Sequence, residues 1–348
     1  MKTVFDNIKG DRIIWAIAAL LAIFSFLPVY SAASNLAYIG SGSNTFSYFI
    51  KHFVHLFLGF SIIYGVHKIP YRYFSGGSVL MLPLVIVLLI YTLTKGTTIG
   101  GANASRWIQI PFIGIGFQTS TLAGLILMIY VSRYLAQNKD KEFTFKDSAW
   151  KLWLPVAATL VLILPANFST TAIIFLMILM ITFIGGYPIK YLASVVGIGV
   201  LVLTLFVLTA KALPGVLPNR VDTWISRVEN FSNSDAEEGY QVEKAKIAIA
   251  SGGIQGRGPG KSIQKNFLPQ SSSDFIFAII VEEYGLIFGA LIVILMYFLL
   301  LFRILVAAKK ATSIFATLLI IGVGLPIIFQ ALINMAVAVN LFPVTGQT

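Results

Sequence analysis

Long apolar runs recur along the whole sequence and constrain its fold more than any other feature. The first run, from Ile13 to about Ala33, has roughly 20 residues, which is enough to cross a bilayer of about 30 Å. Only 11% of the 348 residues are charged, against about 25% in soluble domains. Because lipid cannot satisfy an exposed backbone, every span should be helical. The chain is therefore predicted to be an all-α polytopic membrane protein.

Nine such runs are candidate transmembrane helices. We interpret the first run as a permanent anchor, because no cleavable signal is evident. The nine candidate spans lie near residues 13–33, 47–66, 77–94, 119–136, 150–165, 168–187, 190–210, 274–302 and 312–339. They leave one large polar segment, residues 211–273, between the seventh and eighth helices. We treat residues 1–348 as a single integral membrane domain that contains this loop.

The distribution of Lys and Arg orients the chain in the membrane. With the N-terminus inside, fourteen of these cations lie in inside loops, three lie on the outer side outside the long loop, and eight lie in the long loop. Short inside loops carry the excess of positive charge, while long loops cross largely regardless of charge. The N-terminus is therefore predicted to be cytoplasmic and the loop 211–273 extracytoplasmic. Sorted in this way, the net charge of +11 does not call for a nucleic-acid partner.

The long outer loop has two parts of different character. Residues 221–240 are predicted to form an amphipathic helix at the interface. The part between Glu243 and Asp274 contains no acid but five cations, with glycines clustered around residues 252–260. Glycine allows close backbone approach, and backbone N–H groups beside Lys and Arg can bind an anion. A phosphate site for a specific substrate and a flexible basic loop on anionic headgroups both fit this pattern.

The stretch GRGPGKS within this loop is not a P-loop, because Gln255 stands where that motif requires its first glycine. Further cations lie on the outer side. Arg106 and Trp107 fit either an interfacial anchor or a phosphate-facing arginine beside a lipid-facing aromatic ring. Lys51 fits either snorkelling or a polar cavity. Three scattered His and no Cys argue against a dedicated His-based or thiolate metal site.

Three acids follow in the stretch NFLPQSSSDFIFAIIVEEYG. Asp274 fits a helix N-cap as well as a chemical role. Glu282 would lie about 12 Å further along a helix and inside the bilayer, where acids usually mark function. Around the helix axis Glu282 lies about 80° and Glu283 about 180° from Asp274. We therefore expect Glu282 to face a polar cavity and Glu283 to pair with another helix.

These stretches resemble the SEDS family of membrane glycosyltransferases, and the FtsW branch more than the RodA branch. The family's GGARRWI…FQPSE loop is similar to GGANASRWI…FQTST, and its pattern from GYQ through GxGxGxSxQK to TDFIFA and GEELG is similar to residues 239–285. Its PVTG motif stands at residues 343–346. The resemblance implies a SEDS-like helical bundle of ten helices. Because the family's tenth helix follows PVTG, we expect the chain to be truncated.

The resemblance also implies an activity. Family members polymerise lipid II, a disaccharide-pentapeptide on undecaprenyl pyrophosphate, on the outer face of the bacterial cytoplasmic membrane. Asp274 matches the family's key acid and would deprotonate the 4-hydroxyl of the acceptor sugar, which needs a pKa raised by burial. The energy lies in the substrate bond, so no organic cofactor is expected. A divalent cation, Mg²⁺ or Mn²⁺, on the pyrophosphate is compatible with this chemistry.

Outer cations should neutralise the departing pyrophosphate. The candidate substrate-binding residues are Arg106, Trp107, Lys261, Lys265 and Lys51, and those that support the cavity are Glu282, Glu283 and Gln264. The partners that the resemblance implies are lipid II, a class B penicillin-binding transpeptidase and other membrane proteins of the divisome.

The chain departs from the family pattern at several polar positions. Thr121, Gly124 and Asn167 stand where the family has an acid, a lysine and an aspartate, and Ser272 and Ser273 replace the His and Thr of HTD. Functions of those family residues do not carry over. Two other functions remain open. A lipid II transporter would need charge deep in a two-sided cavity, and a non-catalytic division scaffold would tolerate loss of Asp274.

Overall fold

The computed structural model describes residues 9–39, 45–96, 106–109, 116–212, 237–268, 271 and 273–343. The helices in these ranges are α1 (Arg12–Ile39), α2 (Thr45–Val66), α3 (Arg72–Lys95), α4 (Thr119–Gln137), α5 (Phe145–Ser148), α6 (Leu154–Ile163), α7 (Phe168–Ile184), α8 (Ile189–Ala212), α9 (Glu237–Gly252), α10 (Ile276–Gly285), α11 (Ile292–Lys309) and α12 (Ile314–Ala338). Two π-helical turns (Ala149–Trp153 and Leu286–Leu291) and a 3₁₀ turn (Gln264–Asn266) adjoin them. The strands β1 (Trp107–Gln109) and β2 (Gly116–Gln118) pair antiparallel.

Seven helical segments of the described chain are long and apolar enough to cross a membrane. They lie in α1, α2, α3, α4, α8, α12 and the segment from α10 through α11. Helix α7 is apolar but has only 17 residues, and α6 has ten residues after its π-helical turn. The all-helical prediction agrees with this structure, while the count of nine spans stays a prediction. Residues 213–236, which hold most of the predicted interfacial helix, lie outside the described residues.

The run predicted as one span over residues 274–302 is interrupted. Gly285 has φ +76° and ψ −177°, which is incompatible with a continuous helix and favours glycine. The π-helical turn of six residues and α11 of eighteen residues extend for roughly 36 Å at 1.5 Å per residue, enough to cross a bilayer without α10. The depth of Glu282 in the bilayer therefore does not follow from its place in the apolar run.

The chain divides into two compact units. The first contains Met1–Pro70, Arg227–Ala307 and Ile327–Thr348. In it α1 packs against α2 and α10, and α9 packs along α10. The contact between α9 and α10 uses small side chains, because Ala245, Ala248 and Ala278 are all fully buried. Alanine lets two helix backbones approach closely, so α9 lies close against α10.

The second unit contains Tyr71–Ser226 and Ala308–Pro326. Helices α3, α4, α6 and α7 pack against one another in it. Leu127 and Met128 of α4 and Ile178 and Ile181 of α7 are buried at 4% exposure or less. These helices are apolar on most faces, as expected where one side meets protein and the other meets lipid.

An ion pair joins two distant segments of the first unit. Arg303, on α11, donates a hydrogen bond to the carboxylate of Asp11, which directly precedes α1. Partial burial raises the pKa of Asp11, but the hydrogen bonds from Arg303 and from the backbone N–H of Ile13 outweigh it, and the pKa is lowered. The pair therefore favours the folded state wherever Asp11 is ionised.

Replacement of Asp11 by asparagine should lower the stability of the first unit by about 0.5–1 kcal/mol near pH 7. Because the folded-state pKa is depressed, this contribution is present above the ordinary pKa of an aspartate and is lost as the pH falls through the folded value. Thermal unfolding of the purified protein and of Asp11→Asn, measured from pH 7 down to about pH 3, should show the two curves converge in acid. A difference that does not depend on pH would contradict the assignment.

Candidate active site

The break at Gly285 leaves backbone groups without their helical partners. In a continuous helix the N–H groups of Leu286 and Ile287 would donate to the carbonyls four residues earlier. They donate instead to the carbonyl of Gly253, at 2.9 Å, and to that of Ile254, at 3.4 Å. The acceptors belong to residues 253–266, which we call the docking loop.

The docking loop also satisfies the carbonyls on the other side of the break. The carbonyls of Glu282 and Glu283 accept the N–H groups of Arg257 and Gly258, each at 2.9 Å. Four backbone groups released by the break are thus paired with one segment of the loop. Non-helical backbone survives beside a membrane only when protein or water satisfies it. The loop therefore completes the broken helix.

Glycines make this contact possible. A Cβ atom on Gly252 would lie 2.2 Å from the carbonyl oxygen of Val281, and one on Gly256 would lie 2.3 Å from that of Glu283. Gly256 also has φ +81°, a conformation that side chains other than glycine rarely adopt. Both glycines are required for close packing against α10: Gly252 ends α9, and Gly256 lies in the docking loop.

Glu282 holds the C-terminal part of the docking loop, around residues 262–264, in place. Its side chain is fully buried and accepts the hydroxyl of Ser262 at 2.5 Å and the N–H groups of Ile263 at 3.0 Å and Gln264 at 3.2 Å. Arg257 Nε lies 3.9 Å from the same carboxylate. An anion at the start of the 3₁₀ turn is electrostatically favourable. The backbone N–H groups of Ile263 and Gln264 are therefore bonded to the protein's own carboxylate.

Glu283 links the docking loop to α1. Its Oε1 atom accepts the hydroxyl of Ser31 and, at 3.3 Å, the N–H of Ser262. The ammonium of Lys265 donates to Ser31 Oγ at 3.1 Å and to the carbonyl of Gly260 at 2.9 Å. Sequence patterns do not single out Ser31, because a lone serine in the C-terminal half of an apolar helix is a weak signal.

Asp274 directly precedes this assembly in the chain. It is 2% exposed and lies between Ser273, whose carbonyl accepts Asn334 Nδ2 at 3.4 Å, and the fully buried Phe275. Helix α10 begins at Ile276 with Phe275 at the N-cap position, and the side chain of Phe275 makes no capping bond. The interpretation of Asp274, one residue earlier, as a helix cap stays a prediction.

The other candidate residues of the first unit are placed differently. Lys261 is exposed on the docking loop, and Gln264 is half-buried beside Glu282. Lys51 is exposed on α2, with its Nζ 5.7 Å from the centre of the Tyr48 ring. Among the described residues, no hydrogen bond or ion pair joins Lys51 to the docking loop. The residues that the structure describes also contain no group of three His, Cys, Asp or Glu that could hold a metal ion.

Arg106 and Trp107 belong to the second unit. Arg106 Nε donates to the carbonyl of Ala166 at 3.0 Å, and Trp107 opens β1. Two departures from the family pattern lie in the same unit. A Cβ atom on Gly124 would lie 3.1 Å from Ile174, so α4 approaches α7 closely where the family has lysine. Asn167 is the N-cap of α7.

Substitution of Gly256 should test the contact between loop and helix. Gly256→Ala should destabilise the protein strongly, because the new methyl group meets the backbone of α10, which cannot move aside. Gly253→Ala is the matched control. Gly253 also has a positive φ but has no atom within 4 Å of a built Cβ, so its cost should be about 1–2 kcal/mol. Equal thermal stability of the two variants would show that the close approach is unimportant.

Glu282→Gln tests the carboxylate that holds the docking loop. The new amide group turns a donor toward the loop's own donors, so we expect a loss of about 2–3 kcal/mol and faster proteolysis within residues 253–266. Glu243→Gln, at an exposed position on α9, is the matched control and should behave as wild type. Wild-type stability and proteolysis of Glu282→Gln would rule out this anchoring role.

Known proteins of similar sequence include several that share one name. The chain is 32% identical to a probable peptidoglycan glycosyltransferase FtsW of Enterococcus hirae, over 99% of this chain and 87% of that protein. It is 30% identical to the protein of the same name from Nitrosomonas europaea, over 97% of this chain and 86% of that protein. These similarities agree with the predicted preference for the FtsW branch.

Solved structures show the same fold at lower identity. One is a chain from work described as structural coordination of polymerization and crosslinking by a peptidoglycan synthase complex, with a TM-score of 0.70, 22% identity and coverage of 97% of this chain and 90% of that chain. Another is the rod shape determining protein RodA of Thermus thermophilus, with a TM-score of 0.64, 20% identity and coverage of 97% and 88%. The family model described as cell cycle protein, named for FtsW, RodA and SpoVE, matches residues 11–348. The chain therefore belongs to the FtsW/RodA/SpoVE family, and the predicted SEDS membership is confirmed.

Proposed function

We propose that this chain is a peptidoglycan glycosyltransferase that polymerises lipid II on the outer face of the bacterial cytoplasmic membrane during cell division. The observation that carries the proposal is the buried carboxyl of Asp274, next to a helix that the docking loop holds in place. Family relatives with the name peptidoglycan glycosyltransferase match nearly the whole chain. The assignment of the outer face depends on the Lys and Arg distribution.

Asp274 acts as the general base in this proposal. It accepts the proton of the acceptor sugar's 4-hydroxyl while that oxygen attacks the anomeric carbon of the donor sugar. The bond from the anomeric carbon to the pyrophosphate oxygen breaks, and undecaprenyl pyrophosphate leaves with the electron pair. A positioned base of this kind contributes about 10²–10⁴-fold to the rate.

Cations neutralise the leaving group, whose charge grows in the transition state. Lys265 suits this role because Ser31 and Gly260 hold its ammonium in place, and a preorganised charge costs no rearrangement during reaction. Lys261 adds a second, exposed charge on the same loop. Arg106, Trp107 and Lys51 are further candidate contacts for the lipid diphosphate.

A divalent cation would be held mainly by the substrate rather than by the protein. Mg²⁺ is commonly held by one or two carboxylates together with substrate phosphates. Because Asp274 must accept a proton and the docking loop is bonded to Glu282, the pyrophosphate oxygens and water would supply most of the ligands. The cation would screen the charge of the leaving group, and the protein residues would orient it.

The partner in the proposal is a class B penicillin-binding transpeptidase, with other divisome membrane proteins around it. The fold occurs in a peptidoglycan synthase complex that coordinates polymerization and crosslinking. Polymerised glycan is the substrate for crosslinking, so a polymerase and a transpeptidase are functionally matched.

A lipid II transporter is the second candidate, because discontinuous helices such as the one broken at Gly285 are common in transporters. In transporters the freed backbone groups face the substrate or ion. In this chain the docking loop is bonded to four of them, which favours the polymerase over the transporter. A division scaffold is the third candidate.

Replacement of Asp274 by asparagine should reduce lipid II polymerisation by at least about 100-fold, with little change in thermal stability. The purified protein and its transpeptidase partner would be assayed for glycan products with wild type, Asp274→Asn and Asp140→Asn. Asp140 is an exposed acid in the turn after α4 and serves as the matched control. Wild-type polymerisation by Asp274→Asn would disprove the base assignment. Lipid II translocation in vesicles without any polymerisation by wild type would favour the transporter.

A further inference from the structure

Two adjacent glutamates hold the two ends of one lysine, each through a serine. At its backbone, Lys265 donates its N–H to Ser262 Oγ at 3.1 Å, and the Ser262 hydroxyl donates to Glu282 at 2.5 Å. At its side-chain end, the ammonium of Lys265 donates to Ser31 Oγ at 3.1 Å, and the Ser31 hydroxyl donates to Glu283. The lysine is therefore fixed both where its side chain begins and where its charge lies.

Ser31 is the one residue of this set that lies on α1. It is 3% exposed, and α1 packs against both α10 and the 3₁₀ turn that contains Lys265. The hydroxyl of Ser31 accepts from an ammonium and donates to a carboxylate. Hydrogen bonds to charged groups are stronger than neutral ones, and bonds in a chain polarise one another. Ser31 therefore joins the charges of Lys265 and Glu283 more firmly than a packing contact would.

The contacts at the ammonium determine the direction of the lysine charge. An ammonium has three donors, and those of Lys265 include bonds to Ser31 Oγ and, at 2.9 Å, to the carbonyl of Gly260. Two fixed bonds set the direction of the third. Lysine has a flexible four-carbon stem, so without these contacts the charge would sample many positions. A charge that is already in place needs no rearrangement when negative charge develops in a transition state.

We propose that Ser31 is a positioning residue of the glycosyl transfer, which acts through Lys265. Its hydroxyl connects the ammonium to Glu283 and so holds the positive charge where the departing diphosphate becomes more negative. This inference rests on the proposed function, since it gives Ser31 a part in that reaction. Ser31 itself contacts neither the sugars nor the diphosphate. Helix α1, which has no charged residue after Arg12, thereby contributes to the chemistry.

Three variants isolate the hydroxyl of Ser31. Ser31→Ala removes it and leaves a residue that favours a helix, so the protein should fold. Ser31→Thr keeps a hydroxyl at the same position. Ser25→Ala is the matched control, because Ser25 also lies on α1 but donates to the carbonyl of Ala22, at 2.7 Å, within its own helix. Thermal unfolding of each purified variant shows that the kinetic comparison is made on folded protein.

The first measurement is lipid II polymerisation by the full chain with its transpeptidase partner, at low and at saturating substrate. Ser31→Ala should lower kcat about tenfold, less than the roughly 10²–10³-fold that is typical for loss of a direct contact, with KM within twofold. Ser31→Thr should be within threefold of wild type, and Ser25→Ala should match wild type. Lys265→Met should lower kcat more than Ser31→Ala does. The double variant Ser31→Ala/Lys265→Met should be no slower than Lys265→Met alone, because Ser31 then has no ammonium to position.

The second measurement does not depend on catalysis. Limited acetylation of the folded protein with acetic anhydride, followed by mass spectrometry of its peptides, reports how readily each lysine amine meets the reagent. In Ser31→Ala the ammonium of Lys265 is no longer held against α1, and its side chain regains rotamer freedom. Labelling of Lys265 should therefore rise at least about threefold relative to labelling of the exposed Lys261. The ratio should be unchanged in Ser25→Ala and Ser31→Thr.

Three results would show that Ser31 only supports the fold and would overturn the positioning role. The first is failure of Ser31→Ala to fold. The second is a loss of kcat in the double variant that exceeds the loss in Lys265→Met alone. The third is an equal loss in Ser31→Ala and Ser31→Thr, because shape rather than the hydroxyl would then be what matters.

The positioning role and the proposed catalysis can fail separately. If wild type does not polymerise lipid II but labelling of Lys265 rises in Ser31→Ala, the proposed function is wrong and the contact through which Ser31 holds Lys265 stands. If wild type polymerises lipid II and Ser31→Ala matches it in both measurements, the positioning role is wrong and the proposed function stands.

Discussion

The site in the first unit depends on one constraint, which is that a broken helix must satisfy the backbone groups it releases. Lipid offers no hydrogen bonds, and each unsatisfied group costs several kcal/mol. The break at Gly285 is tolerated because Gly253, Ile254, Arg257 and Gly258 pair with the backbone on both sides of it. The docking loop and α10 are therefore one structural element, although residues 267–275 separate them in the sequence.

Two buried acids add side-chain hydrogen bonds to these backbone contacts. Glu282 holds the docking loop through a hydroxyl and backbone N–H groups, and Glu283 joins it to α1 through Ser31. A buried carboxylate is costly unless several donors surround it. The loop supplies those donors, and the acids in turn determine where its lysines lie. The position of Lys265 thus depends on α1, α10 and the loop together.

Sequence patterns predicted the all-helical fold and the outlines of the apolar helices, because hydropathy reports burial in lipid directly. They did not predict the break, since Gly285 lies inside a run long enough to be predicted as one span, and hydropathy does not register a change in φ. The partners of Glu282 are backbone groups about twenty residues earlier, and Ser31 is 252 residues from Glu283. Local periodicity contains no information on such pairs. Loop glycines suggested a phosphate site, whereas Gly252 and Gly256 pack against backbone.

The contacts of the three acids also bear on which of them can serve as a base. A base must give a lone pair to the substrate and then carry a proton through part of each cycle. Both oxygens of Glu282 accept hydrogen bonds from the docking loop, so protonation there would weaken the contact that positions Lys265. Glu283 holds Ser31 and Ser262 in the same manner, and a proton on it would loosen α1 from the loop at every turnover. Glu282 and Glu283 are therefore suited to hold the docking loop rather than to carry a proton in each cycle. Of the three acids, this leaves Asp274, before the first turn of α10, for the base in the proposed mechanism.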